Sequence, residues 1–258
     1  MTEPSSEKNL PFGKHTARIF PDSREMGLAA AEQAAKLIQD AIADRNSARV
    51  MVATGNSQDD FIDALIHRED IEWDKVTCFH MDEYIGISHD HSASFRRWLK
   101  TRVADLVHPA AMHYIEGDAE DIQAEIQRYT RLLHEGPLDM AFVGFGENGH
   151  IAFNDPPIAD FEDPHTLKVV TLDDQSRHQQ VGEGHFPDFE SVPAEALSVT
   201  CSGLLRANHW VSCVPERRKA EAVRKAFHDP VSTACPATIA REHPSVFLFL
   251  DEDSASLL

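Results

Sequence analysis

Two hydrophobic periods take turns along this chain, and their alternation leaves few folds open. Leu28, Ala31, Ala35, Ile38 and Ile42 recur at steps of three and four, which lines one helix face, and Asp22 with Glu25 forms a capping box at its start. ARVMVAT then reads as a buried strand, SQDDFIDALIHRE as a helix, KVTCFHMD as a strand, and SASFRRWLKTRVADLV as a helix with Phe95, Leu99, Val103 and Leu106 on one face. A short strand at MHYI, a helix over DAEDIQAEIQRYTRLLH ended by Gly136, the strands LDMAFVGF and HWVSCV, a helix opened by Pro215 and the strand SVFLFLD complete the series. The section from Gly144 to Pro193 reads as mostly loop. Strands without polar alternation are buried on both faces, and the intervening helices cover them. The expected fold class is α/β: a single-domain, doubly wound, mostly parallel sheet with helices on both faces.

The 258 residues suit one domain spanning 1–258, since no repeat, low-complexity tract or linker divides them; residues 1–14 are expected to be a flexible N-terminal segment. The longest apolar run, Val246 to Leu250, is too short to cross a bilayer, so no membrane partner is expected. MTEPSSEKNLPFGKH carries no apolar stretch of the kind that makes a secretory signal, and the expected location is cytoplasmic. Cys78, Cys201, Cys213 and Cys235 lack C-x-x-C spacing and read as buried free thiols. A formal net charge of −19 excludes a nucleic-acid partner, whose phosphates demand a basic surface. A small anion needs only a local cluster of donors, because salt screens the distant field within about 10 Å.

Ligands of such sheets bind at the carboxyl ends of strands, which singles out three loops: ATGNSQ, HMDEYIGISHDHS and GFGENGHIAFNDPP. Gly144, Gly146 and Gly149 of the third spell G-x-G-x-x-G, the fingerprint of a dinucleotide turn. That turn needs a helix starting at its last glycine, and the adjacent Pro156 and Pro157 argue against one, so no dinucleotide or other cofactor is expected. The glycines instead let the backbone approach a ligand, with His150 in reach as an acid–base group and Asn148 and Asp155 placed to orient it. The blander alternative is a loop histidine satisfied by a carbonyl. In the second loop Asp82 and Glu83 are adjacent, so one carboxylate faces the cleft and the other turns away. His89 and His91 are spaced H-x-H, but no third ligand stands at a recognisable spacing, and no metal site is expected.

ATGNS, FHMDEYIGISHDHSASFRRWL, GFGENGHIAFNDP and PERRKAEAV occur in the order and at about the spacing of the glucosamine-6-phosphate deaminase (isomerase) family, which is related to the 6-phosphogluconolactonases. The chain resembles that family over most of its length. The resemblance implies a sugar-phosphate substrate and cofactor-free conversion of glucosamine 6-phosphate to fructose 6-phosphate and ammonia. It implies Asp82 as the proton shuttle between C2 and C1 and His150 as the ring-opening acid–base, with Asp155 where the family commonly has glutamate and Asn148 where many members have aspartate. It also implies that Thr54, Gly55, Asn56 and Ser57 cradle the phosphate and that Lys219 pairs with it.

Departures from the pattern keep alternatives open. Where the family often has an arginine before a Phe-Phe pair, this chain reads SRHQQVGEGHFPDF, and Arg177, His178 and His185 are all candidates for a second phosphate contact. Asp155 is one methylene shorter than glutamate, which leaves room for a related hexosamine phosphate. A sugar-phosphate lactonase and a non-catalytic sugar-phosphate sensor are the rival functions. Tyr84 and GHIAF speak against the first, and the intact Asp82 and His150 against the second. The sequence leaves room for a homo-oligomer.

Overall fold

The structure, a computed structural model, describes residues 7–258. In chain order its elements are β1 (Lys8–Phe12), β2 (His15–Phe20), α1 (Ser23–Arg45), β3 (Ala48–Val52), α2 (Asp59–Ile66), β4 (Val76–His80), β5 (Asp82–Tyr84), α3 (Phe95–Leu99), α4 (Asp105–Val107), β6 (Ala111–His113), α5 (Ile122–His134), β7 (Met140–Phe142), β8 (Leu167–Thr171), α6 (Asp174–Gly182), β9 (Glu195–Val199), α7 (Cys201–Leu204), β10 (His209–Val214), α8 (Ala220–His228) and β11 (Val246–Asp251). Eight strands form one sheet in the order β1-β2-β11-β10-β7-β3-β4-β6, and every neighbouring pair is parallel except β1 with β2. Val50, Met51 and Val52 in β3, and Trp210 to Val214 in β10, are buried without a break. Successive strand residues point to opposite faces, so helices cover the sheet on both sides, as expected for an α/β, doubly wound, mostly parallel fold. No helix of the described residues is long and apolar enough to cross a membrane.

Several expectations need correction. Within the segment 1–14 expected to be flexible, Lys8–Phe12 is a strand paired in full register with β2; residues 1–6 lie outside the described residues. The section from Gly144 to Pro193 holds β8 and α6, and β8 joins β5 and β9 in a second, antiparallel sheet of three strands. Leu106 is exposed because a turn of π-helix, Lys100–Ala104, joins α3 to α4. Its longer turn delays the buried stripe by one residue, so Phe95, Leu99 and Val103 are buried and Val107, not Leu106, packs on the core.

In α1, Asp22 caps the start by accepting a hydrogen bond from the Glu25 N–H at 2.8 Å. Of the expected stripe, Ala31, Ala35, Ile38 and Ile42 are buried and only Leu28, 56% exposed, faces out; Met26, Ala30 and Ala34 widen the buried face. The helix packs against β2, β3, β10 and β11 and also against α2, which is why small residues crowd it. Gly27 marks the closest approach: a Cβ there would lie 2.8 Å from the Asp60 carbonyl carbon and 2.9 Å from Phe61 N. Helix propensity alone makes Gly27→Ala favourable by up to about 1 kcal/mol. Overpacking against the immobile backbone of α2 costs about 1–3 kcal/mol and outweighs that gain. Gly27→Ala is therefore expected to lower the midpoint of urea unfolding; a raised midpoint would refute the tight α1–α2 contact.

Candidate active site

Strand order reverses between β3 and β7. The chain leaves β3 toward β4 and β6, whereas from β7 its next strand in this sheet is β10, on the other side. Loops leaving neighbouring strands in opposite directions open a crevice at their carboxyl ends. A cavity lies there, bounded by Thr54, Gly55, Asn56 and Ser57 after β3, by Gly144, Gly146 and His150 after β7, and by Asp82 at the start of β5. Lys219 and the α6 region, with Gln179, Gln180, Glu183 and His185, close it. At Gly55 φ is +99°, and a Cβ there would meet nothing within 4 Å, so the backbone lies bare to the cavity.

Gly146 of GFGENGH makes room for the imidazole. A Cβ on Gly146 would sit 2.2 Å from His150 Cε1, so the ring lies flat over that residue, and the Gly146 N–H donates to the His150 carbonyl at 2.8 Å. Gly149 has φ +86°, and a Cβ there would strike Cys235 Sγ at 2.4 Å. The loop thus clasps the ring whose Nδ1 lies 3.0 Å from Asp155 Oδ1. Asn148 braces the pair: its Nδ2 donates to Asp155 Oδ1 at 2.9 Å, and its Oδ1 accepts the His150 N–H at 2.9 Å. Ser176 Oγ also donates to Asp155 Oδ1, at 2.5 Å, and lies 3.3 Å from His150 Nδ1. Burial opposes the charge on Asp155, but the bonds from His150, Asn148 and Ser176 prevail and hold its carboxyl down to about 2. A carboxylate fixed there orients the imidazole and leaves Nε2 for chemistry.

The two acidic residues of MDEY part as their adjacency requires. Asp82 lines the cavity, and burial, reinforced by the neighbouring Glu83 charge, pushes its carboxyl up from 3.8 to about 8. Glu83 turns away and is fully buried. It accepts from Ser94 Oγ at 2.7 Å and from the amides of Tyr84, Phe95 and Arg96 at 3.0, 3.3 and 2.9 Å, holding the first turn of α3.

Lys219 ends a turn of 3₁₀-helix, Arg217–Lys219, that leads into α8. It is 3% exposed, and burial lowers its pKa. Among the described residues no carboxylate lies within ion-pair distance of it, whereas the neighbouring Arg218 grips Glu183 at 2.6 Å, Glu147 at 3.4 Å and also Glu216. Of the three residues proposed for a second phosphate contact, His185 alone lines the cavity, 3.3 Å from Glu183. Arg177 is spent on the carbonyls of Phe189 and Val192 and lies 3.8 Å over the Phe189 ring, and His178 packs tilted against the same ring. His91 accepts the Ala93 N–H and stacks on Phe186, while His89 is exposed.

The catalytic and phosphate-binding residues implied by the resemblance therefore meet at one crevice, whereas Arg177 and His178 lie outside it. Asp82, His150, Lys219 and residues 54–57 line it; Asn148 and Asp155 stand behind the imidazole. Sequence reasoning missed Ser176, Gln179, Gln180 and Glu183, all on or beside α6. Their one available signal was the Asp173 cap, whose Oδ1 accepts the Ser176 N–H at 2.9 Å.

A family profile described as glucosamine-6-phosphate isomerases/6-phosphogluconolactonase matches residues 21–248. A glucosamine-6-phosphate deaminase of Bacillus cytotoxicus is 30% identical over 227 residues, covering 88% of this chain and 84% of that protein. Among solved structures, a monomeric glucosamine-6-phosphate deaminase superposes with a TM-score of 0.86 at 29% identity, over 94% of this chain and 99% of the other. A 6-phosphogluconolactonase from Shewanella baltica gives 0.75 at 18% identity, over 93% and 100%, which speaks for the shared fold alone. This chain belongs to the glucosamine-6-phosphate isomerase/6-phosphogluconolactonase family.

Proposed function

We propose that the chain is a glucosamine-6-phosphate deaminase that works without a cofactor, converting glucosamine 6-phosphate and water to fructose 6-phosphate and ammonia. One observation carries the reading: an acid–base carboxyl, an oriented imidazole and a buried lysine without an ion-pair partner line the same cavity. His150 opens the sugar ring by moving a proton between the ring oxygen and the C1 hydroxyl. Asp82 takes the proton from C2, forming an enolamine, and returns one to C1. The resulting C2 imine adds water, becomes the ketone and releases ammonia. Residues 54–57 and Lys219 hold the phosphate, which supplies the counter-charge that Lys219 lacks. Asp155 and Asn148 keep His150 in register. The same reading makes the chain a cytoplasmic enzyme of amino-sugar catabolism.

The experiment that tests this is turnover of glucosamine 6-phosphate in heavy water, reading ammonia and fructose 6-phosphate together. Lactone hydrolysis breaks no carbon–hydrogen bond, whereas 1,2-isomerisation must, so deuterium is expected at C1 of the product. Rapid hydrolysis of 6-phosphogluconolactone with no action on the amino sugar would overturn the proposal.

Asp82 carries a linked prediction about rate and stability. Between about 4 and about 8 the folded chain holds a proton on Asp82 that the unfolded chain has released, so stability falls as pH rises through that window. The same group acts as a base only when ionised, so kcat/KM is expected to rise with pH toward about 8. Asp82→Asn should lose at least about 10²-fold in kcat. At pH 8 it should melt at a higher temperature than the parent, because the buried charge is gone. Full activity in this variant would sink the assignment, and a lowered Tm at pH 8 would sink the linkage.

Lys219→Ala is expected to raise KM at least about tenfold with a smaller effect on kcat, because a charge-assisted contact to a remote, non-reacting group mainly supplies binding. An unchanged KM in steady-state kinetics would place the phosphate elsewhere.

A further inference from the structure

Asp155 presents an asymmetry. Its Oδ1 receives His150 Nδ1, Asn148 Nδ2 and Ser176 Oγ, while its Oδ2 is buried with no partner. A carboxylate with one crowded and one bare oxygen is free to swing toward a more even sharing unless its donors are rigid. Asn148 is rigid, because its own Oδ1 is tied to the His150 amide. Ser176 is rigid for a different reason. It is 2% exposed in the first turn of α6, where Asp173 Oδ1 fixes its backbone N–H. Its hydroxyl touches both members of the pair, at 2.5 Å from Asp155 Oδ1 and 3.3 Å from His150 Nδ1.

We infer that Ser176 is a positioning residue for His150: its hydroxyl pins Asp155 Oδ1 in the plane of the imidazole and so keeps Nε2 turned toward the cavity. Ser176 is absent from the cavity wall and touches no reacting atom, so it acts only through the pair. It also joins the pair to α6, whose Gln179 and Gln180 do line the cavity. Tyr84 Oη donates to Gln180 Oε1 at 2.8 Å and ties that helix down to β5, next to Asp82. The seating of α6 therefore sets the alignment of His150, and the same helix bounds the space that a ligand fills.

The inference rests on His150 being the acid–base group of the proposed reaction, and two independent readouts separate the two claims. In the ligand-free protein, the His150 Nδ1–H proton is followed by nuclear magnetic resonance. Ser176→Ala is expected to speed its exchange with water at least about fivefold, and Ser176→Thr, which keeps the hydroxyl, to restore the slow exchange. In glucosamine 6-phosphate turnover, Ser176→Ala should lower kcat about tenfold, the scale of one hydrogen bond to a charged group, with KM changed less than about twofold. The Thr variant should recover most of the rate. The Asp173 cap holds the backbone amide of residue 176 whatever its side chain, so the Ala variant should fold, and an unchanged Tm checks that it does. Parental kcat and parental exchange in the Ala variant would overturn the inference while leaving the proposed reaction intact. Faster exchange in the Ala variant, with a parent protein that never turns over the amino sugar, would overturn the proposed reaction and keep the role of Ser176.

Discussion

The reversal of strand order between β3 and β7 is the constraint on which the rest of the structure depends. A parallel sheet whose connections all ran one way would close each carboxyl end with the next loop. Here two adjacent strands send their chains apart, and the gap between them is filled from outside the sheet. A single residue, Met81, separates the end of β4 from the start of β5, so the chain passes from the large sheet to the small one at that point. The Met81 carbonyl accepts the Val199 N–H at 2.7 Å, which locks the crossing to β9. Asp82, the next residue, is therefore fixed by two sheets at once and stands over the gap.

Electrostatics in the crevice follow from that placement. Two adjacent carboxyls with nearly equal burial take different roles because their partners differ. Glu83 is satisfied by amides and a hydroxyl, with Arg96 close by, whereas no side-chain or backbone donor among the described residues reaches Asp82. A largely desolvated, unpartnered carboxyl holds its proton, which is why Asp82 titrates at about 8 at the cavity wall. Across the cavity Glu183 meets the opposite fate. Burial opposes its charge, but His185, Arg218 and Gln179 hold it ionised at about 2. Because Arg218 pairs with Glu183 and Glu216, no carboxylate among the described residues pairs with Lys219 at the cavity, in a chain whose formal net charge is −19.

Legibility in the sequence tracked burial. Strands buried on both faces wrote continuous apolar runs and were readable, as β3, β4, β10 and β11 show. β1 carries Lys8, Asn9 and Pro11 on an exposed edge and leaves no such run. Helix α6 was illegible because it serves a cavity: DQSRHQQVG has a single large apolar residue, and its inward side chains are Ser176, Gln179 and Gln180. His150, Asn148 and Asp155 lie within eight residues of chain and announced themselves together. Ser176 and Glu183 reach the same site only through folding, 26 and 33 residues beyond His150 as the numbering runs, and the Asp173 cap is the one local mark of their helix. The π-turn at Lys100–Ala104 escaped for another reason, since its apolar spacing fits an α-helix until Leu106.

Strain at the end of β10 shows how much of the scaffold is organised around one cation. Glu216 has φ +82°, a region that glycine occupies freely and that costs other residues about 1–3 kcal/mol. Such a conformation persists only where its surroundings over-determine it, and three contacts do so. The Glu216 N–H points at both carboxylate oxygens of Asp251, at 3.2 and 3.0 Å; its carbonyl accepts the Lys219 N–H at 2.9 Å; and its side chain pairs with Arg218. Asp251 is the last residue of β11, is 6% exposed, and also accepts the Ser254 N–H at 2.7 Å. Two neighbouring parallel strands thus end by gripping one strained residue, which turns the chain sharply enough for the next turn to place Lys219 in the cavity wall. An unstrained exit from β10 would relieve Glu216, but it would also break the Asp251 contact and release the turn that carries both Arg218 and Lys219. The cost of the backbone and the cost of burying the lysine therefore fall on the same four-residue stretch, and both are met by contacts to the ends of the sheet.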